Sequence, residues 1–525
     1  MWIHSSILSL ASAVCLCLFA ICFAWQKFCK LPPVWLKQLD SLGRPRKRMI
    51  PGTAIVCGGS IAGIVTARIC ADHFERVIIV DPEIEDSEKP KTRILQYNAG
   101  HVFLTLFVEG ARRLWPNFDA EMKAAGGKFR FADTQIHYSG VPVLTPYQDY
   151  PADQFPDTLI IRRSVGQKVL HRLLQQPSSK LTRLAGTVRS IQPSSDRTSI
   201  ESVTVRQLDG SLISLQDVAL VADCTGTIQA GLKWLNTAGF DLPESIRSHY
   251  NGNISYVTIC FTVSPEVAVK LRATIPAAQL KTILLYGYFP HDDALSSSLG
   301  LFDTDNDTIQ LMFSDSSGRD LPRSAAEVVP FVTAIRGFKI PIPSWVIQVI
   351  ELLCEHGNPS FDVLKIPTQS FVRYHTLPAG HLPSNFIALG DASLKLNPIH
   401  GQGIAKAMMN GMGLNHLLHT VKSDSAGIPA DFSARYFRGS ADAMNGLWDG
   451  TRLHDYGSPL CEPMVGETKN TGRFLRWFER KLISASVKDE EVASALWHVR
   501  HMFAADKVFL APTILWKVLS TRALF

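Results

Sequence analysis

The sequence predicts an α/β fold. A parallel, nucleotide-binding sheet is interrupted by a second, mostly antiparallel β-sheet, with a helical C-terminal tail and one N-terminal transmembrane helix. Three observations predict it. A short apolar strand at Ala54 breaks into glycines and resumes at helical spacing, "AIVCGGSIAGIVTARI". A second strand–loop–helix stretch with its own glycines follows Ile387. Between them lie apolar runs of strand length, separated by Gly, Pro, Asp and Ser.

At the N-terminal end, Ile7 to Trp25 carries no charge and as a helix reaches about 30 Å, the thickness of a hydrocarbon core. Lys27, Lys30, Lys37, Arg44, Arg46, Lys47 and Arg48 follow, against the acid Asp40. By the positive-inside rule the chain downstream stays cytosolic. A cleaved signal peptide is the rival reading; it wants a basic start and a small-x-small cleavage site, and neither is convincing. The expectation is a single-pass protein of the endoplasmic reticulum membrane with its body facing the cytosol.

The 525 residues allow two or three domains. A formal charge of +6, without basic runs interleaved with aromatics, argues against a nucleic-acid partner. Of ten cysteines, Cys15, Cys17 and Cys22 lie in the apolar segment and none forms a CxxC pair. They read as reduced thiols. The sixteen histidines show no HExxH cluster, so no metal is expected.

In the body, a β-α-β start covers 54–81, a helical stretch 100–125, and "RRSVGQKVLHRLLQQ" begins a helix at Arg162. "LDGS" marks a hairpin turn inside "ESVTVRQLDGSLISL". "NISYVTICFTV", "KTILLYGYF" and "DTIQLMFSD" read as the inserted sheet, with Tyr256, Tyr286, Tyr288 and Phe313 filling its core. The tail stretch "FLAPTILWKVL" is too short to span a bilayer; it docks on the body or dips into the membrane surface.

In "GGSIAG", Gly58 permits the sharp turn out of the strand. The small Ser60 lets backbone approach a pyrophosphate, and Gly63 lets helix pack on sheet. The helix N-terminus offers free N–H groups to phosphates. Asp81, ending the second strand "RVIIV", falls near the spacing of an acid that accepts from ribose hydroxyls. Together they make a Rossmann-like dinucleotide site.

The second motif is "NFIALGDASLKLNPIHGQGIAKAMMNGMGLNHLL". Asp391 at a strand end can hold the ribityl hydroxyls of a flavin, and the loop Pro398 to Gly403 lets backbone approach its ring. The helix that follows favours negative charge on the reduced ring. A third block, "ALVADCTGTIQAGLKWL", delivers Asp223 and Gly226 to a loop beside the cofactor.

"GGSIAG", "GDAS…NPIHGQG" and "DCTG" resemble the FAD-dependent monooxygenase superfamily with the hydroxybenzoate-hydroxylase-like fold, and "NPIHGQG" is similar to an NPxxGQG subgroup. The resemblance spans about residues 52–420. It implies an FAD-binding domain in two parts, 51–240 and 376–420, around a β-rich substrate domain, 241–375. A helical region, 421–525, follows, and an anchor, 1–26, and a stalk, 27–50, precede. The implied FAD contacts are Gly58, Ser60, Gly63, Asp81, Arg163, Asp223, Gly226, Asp391, Pro398, Gly401, Gln402 and Gly403. His400 is the catalytic candidate, lining the active site. Arg162 is an equal alternative to Arg163, and His101 falls where relatives carry a polar residue near the flavin.

Two positions depart from the pattern. Flavoproteins more often carry Glu where Asp81 stands, and many relatives read Asp-Gly where this chain has Asp223 to Gly226. The resemblance implies that FAD, with NADPH as reductant and O2, oxidises a lipophilic small molecule, epoxidising or hydroxylating a terpenoid or polyketide at the membrane. A flavin-dependent reductase or desaturase of an isoprenoid shares both motifs. A halogenase would carry a WxWxIP block, which "IPIPSW" is not. A non-redox prenyl-protein escort shares the fold.

Overall fold

The computed structural model describes residues 17–85, 88–151, 153–175, 180–291, 297–422 and 427–524. A five-stranded parallel sheet has β1 (Ile50–Cys57) at its centre. After β1 come α1 (Ile61–Ala71) and β2 (Phe74–Val80), which pairs with β1. Beyond β2 lies the edge strand Leu181–Leu184, reached through α2 (Arg163–Leu174). On the other side of β1 stands β3 (Val218–Asp223), then Phe386–Ala388. Every residue of β1 except Thr53 is apolar or small, and all but Pro51 are buried. That is the pattern of a strand covered on both faces. The hairpin expected around "LDGS" is present: Ile200–Gln207 pairs antiparallel with Leu212–Leu215.

The second sheet has eight strands. Its centre is β4 (Arg247–Thr262), flanked by β5 (Thr308–Asp315) and β6 (Asn358–Val372). It is antiparallel except where Tyr286–Phe289 pairs with Ile136–Tyr138. Side chains alternate between its faces. Val257, Ile259 and Phe261 of β4 join Ile309, Leu311 and Phe313 of β5 in a closed core that also holds Tyr286 and Tyr288. The opposite face of the same strands is turned towards the parallel-sheet half. The two-residue strand Leu394–Lys395 pairs with β6, so the chain that follows Asp391 is stitched to this second sheet.

The tail is helical: α3 (Gly403–His419), α4 (Phe432–Asp455), α5 (Arg473–Ser486), Glu490–Arg500 and Pro512–Ser520. Of the two readings of "FLAPTILWKVL", docking on the body is the one observed: Ala511, Ile514 and Val518 are buried with Leu482, Ala485 and Val492.

The expected transmembrane helix is corrected. Positions 7–16 of that span lie outside the described residues. Among the described residues no helix is long and apolar enough to cross a membrane, and the single-pass localisation falls with it. The described end of the span, helix 17–29, rests on the C-terminal helices. There the Trp25 indole donates to Leu510 O at 3.1 Å and Lys30 pairs with Glu491 at 2.9 Å. Residues 27–50, expected as a stalk, also pack on the body. Leu39 and Leu42 enter its main core, and the Arg46 guanidinium donates to the carbonyls of Leu418 and Lys422 at 2.7 and 2.9 Å. An apolar run of this length reads as a span when only hydropathy is counted; in its described part Leu18, Phe19, Ile21 and Phe23 are exposed, and Trp25, Gln26 and Lys30 make the ties to the tail.

Candidate functional site

The end of β1 turns sharply at Gly58, whose φ is +119°. A side chain there would put its Cβ 2.3 Å from Cys224 O, and one at Gly63 would lie 1.8 Å from Gly58 O. Turn and helix are therefore pressed together in a way only glycine permits. Ser60 precedes α1 in extended conformation without capping it. The first-turn N–H groups are thus left without a side-chain acceptor at a cavity wall. Asp81, after β2, accepts from the backbone N–H of Gly59 and of Glu83, both at 2.8 Å, and so ties the glycine turn to the second strand.

At the start of α2 the two arginines part. Arg162 is committed to the fully buried Asp305, through Nε at 2.9 Å and Nη2 at 2.7 Å. Arg163 faces the cavity, donating to Ser60 Oγ at 3.3 Å and to His101 Nε2 at 3.1 Å, while its Nε is buried without an acceptor. Burial, then the Arg163 charge, pushes the His101 pKa down to about 3. The neutral ring sits 2.8 Å from Ala99 O through Nδ1, which fits Nδ1–H as donor and Nε2 as acceptor from Arg163.

Asp223, fully buried, does not line the cavity. Its carboxylate accepts from the Thr225 N–H (2.9 Å), the Thr225 hydroxyl (2.6 Å) and the Gly231 N–H (2.8 Å). Burial pushes its pKa up, and these hydrogen bonds oppose that. Its place is to shape the loop that brings Thr225 and Gly226 to the wall. The Cys224 thiol, at the same wall, is pushed well up by burial and stays protonated.

The second motif closes the other side. Asp391 follows Gly390 in a 3-10 turn, and its Oδ1 accepts from Lys406 Nζ at 2.7 Å. The Lys406 side chain, on α3, is wholly buried and also donates to Leu394 O. In the loop beyond, Asn397 Oδ1 accepts from the Ile399 N–H at 3.1 Å. Pro398, Ile399, Gly401 and Gly403 reach the cavity; Gln402 does not, and its Oε1 is buried without a partner. His400 is also turned away from the cavity, with Nε2 3.3 Å from Asp455 Oδ1. The expectation that it lines the site is corrected: the turn that presents the backbone at 398–401 sends this ring outward.

One cavity of about 360 Å³ is lined by both motifs at once: Gly58, Gly59, Ser60 and Asp81 from one, and Gly390, Asp391, Pro398 and Gly401 from the other. That volume suits a cofactor or substrate pocket. Its remaining wall is the free face of the second sheet, with Tyr256 of β4, Met312 and Ser314 of β5, Ile366 of β6, and Phe302. Tyr256 pairs across strands with Ser314, and Thr258 with Met312. Tyr256 thus lines the cavity rather than filling the core expected for it, unlike Tyr286, Tyr288 and Phe313. Period-two counting from the apolar Val257, Ile259 and Phe261 would have placed it on the other face. Lys406, Lys395 and Asp455 carried no local sequence signal.

The residues fit a dinucleotide such as FAD. The cradle at Gly58 to Gly63 is one that a Cβ would fill, the half-buried Arg163 donates to Ser60, and two helix N-termini open on the same space. Away from this cavity, and against the expectation of no such cluster, ligand atoms of His400, His454 and Asp455 lie within 4.8 Å of one another. Asp455 is already occupied by Tyr250 and Asn397.

No family model matches the sequence. Protein Rv3254 of Mycobacterium tuberculosis is 21% identical over 88% of this chain and 91% of its own length. Among solved structures, PqsL of Pseudomonas aeruginosa, described as a probable FAD-dependent monooxygenase, superposes with a TM-score of 0.52 at 15% identity, covering 77% of this chain and 96% of PqsL. The flavin-dependent brominase Bmp2 gives 0.54 at 12% identity, covering 89% and 98%. The chain has the fold shared by flavin-dependent monooxygenases and halogenases. At such identities the likeness speaks for fold and leaves the reaction to the site.

Proposed function

We propose that the protein is an FAD-dependent monooxygenase that uses NAD(P)H and O2 to hydroxylate or epoxidise a lipophilic small molecule, of terpenoid or polyketide type. The observation that carries the reading is the single cavity shared by two motifs more than 300 residues apart in the chain. Gly58 to Ser60 and the α1 N-terminus would take the pyrophosphate, with Arg163 offsetting its charge. Asp81 would accept from the adenosine ribose and Asp391 from the ribityl chain. When bound, FAD supplies the redox chemistry. The backbone at 398–403 and the N-terminus of α3 favour negative charge beside them. The sheet face with Tyr256, Phe302, Met312 and Ile366, together with Val102 from the neighbouring loop, would seat an apolar substrate and exclude water. No described residue needs to act as nucleophile, in keeping with thiols held protonated.

The test is purification and assay with candidate apolar substrates. The expected results are a yellow protein, substrate-dependent NAD(P)H oxidation, and one atom of ¹⁸O from ¹⁸O2 in the product. A colourless protein that takes up no FAD would sink the reading. A product changed by two hydrogens and no oxygen would move it to a reductase or desaturase.

A further inference from the structure

The loop that lines the cavity at Asn397 to Gly401 is held from behind by one carboxylate. Asp455 is the last residue of α4, and its side chain is almost fully buried. Its two oxygens lie 2.9 and 3.0 Å from Asn397 Nδ2, and Oδ1 lies 3.3 Å from His400 Nε2. Oδ2 also accepts from the Tyr250 hydroxyl of β4 at 2.6 Å. Three elements distant in sequence therefore meet at a single acceptor. Asn397 is fully engaged by it: Oδ1 faces the Ile399 N–H inside the turn and Nδ2 faces Asp455 outside it. A second link runs parallel. The His400 ring stands edge-on to His454, 5.2 Å between centroids, and His454 Nδ1 is 3.0 Å from Glu479 of α5.

We infer that Asp455 is a positioning residue for the cofactor loop, and that α4 is thereby a third component of the site alongside the two glycine motifs. It does not touch the cavity. It acts through Asn397 and His400, fixing a turn whose backbone would otherwise be free to move as a loop between two glycines. This rests on the reading that the cavity holds FAD. The physical basis is an asymmetry. A buried carboxylate with three donors is satisfied, whereas an amide at 455 keeps only one acceptor oxygen, so Asn397, His400 and Tyr250 can no longer all be accepted and an –NH2 is set against at least one of them.

That asymmetry gives a test by exchange, made on the full chain. Asp455→Asn alone leaves one acceptor oxygen for three donors, and Asn397→Asp alone opposes two carboxylates. The double variant restores one donor and one acceptor. FAD affinity is read by flavin fluorescence quenching, and the visible circular dichroism of bound flavin reports loop geometry. Each single change should weaken FAD by about tenfold or more, and the double variant should recover most of that loss. Melting of the FAD-free proteins checks folding. If a single variant fails to fold, His400→Gln takes its place, with an altered flavin dichroism expected. Singles that bind FAD as the unaltered chain does, with unchanged dichroism, would overturn the clamp. So would a double variant no better than the worse single. An unaltered chain that binds no FAD sinks the functional reading itself, which separates the two failures.

Discussion

The two ends of the cavity are built by opposite means. At the end built by the first glycines, Gly58, Ser60, Gly63 and Asp81 lie within one β-α-β unit, where Gly63 abuts the Gly58 carbonyl and Asp81 accepts from the Gly59 N–H. At the other end, Asp391 and the 397–403 loop depend on buried side chains: Lys406, on the helix of the same motif, beneath the acid, and Asp455, from α4, behind the loop. The first is a matter of steric room, the second of buried charge. The comparison teaches that glycines specify a backbone path, while keeping a charged acid or a loop in place needs charged side-chain partners that the glycine pattern does not name.

The contrast sharpens into predictions. The largest effect should come from the steric end. Gly63→Ala places a Cβ 1.8 Å from a carbonyl oxygen that cannot retreat. It should cost about 3 kcal/mol or more, seen as a large drop in melting temperature together with loss of bound flavin. A melting point within a degree or two of the unaltered chain would break the comparison.

Next come the charges, where direction matters more than size. Asp391→Ala removes the counter-charge from a lysine that is wholly buried, Lys406, leaving it the Leu394 carbonyl. Stranding that cation should cost about 2–3 kcal/mol, even without cofactor. Lys406→Met strands an acid whose side chain is 39% exposed, so water repays part of the loss and about 1 kcal/mol is expected. The double variant should melt above Asp391→Ala and still bind FAD poorly. Equal melting of the two single variants would show that burial does not set the asymmetry.

This is also where legibility in the sequence divides. The order of strand, glycines, helix, strand and acid was readable because every member sits within about 30 residues and each has a local steric reason. Gly390-Asp391 and the loop to Gly403 were readable for the same cause. Arg163 could not be told from Arg162 until Asp305, far along the chain, was seen to take the latter. Tyr256 was misplaced because one strand's alternation names two faces without saying which meets a cavity. The N-terminal apolar run read as a span because hydropathy counts residues alone and does not register that Trp25 at its end and Lys30 beyond it bond to Leu510 and Glu491.

A smaller effect is expected at the sheet wall. Tyr256→Ala should leave FAD retention unchanged and alter KM for the apolar substrate by about tenfold, read from steady-state kinetics. Loss of flavin in that variant would erase the division of the cavity into cofactor and substrate parts.

The smallest single effect concerns acid. His101 is held near pKa 3 by burial and then by Arg163; burial likewise lowers His73 and His171 to about 4 and His501 to about 3, each from 6.5. The unfolded chain therefore takes up these protons first. Stability is full above about pH 6.5 and declines as pH falls towards 4. His101→Gln should make that decline slightly shallower in melts from pH 8 to 4.5. A steeper decline would contradict the sign.

The two-faced strands at the centre of the second sheet have a consequence for how such a protein changes over generations. Alternate positions of β4 and β5 belong to separate environments, so Tyr256, Ser314 and Met312 are free to vary while Val257, Phe313 and Leu311 keep the scaffold folded. A lineage can therefore adopt new chemical diets by editing every second letter of two short words.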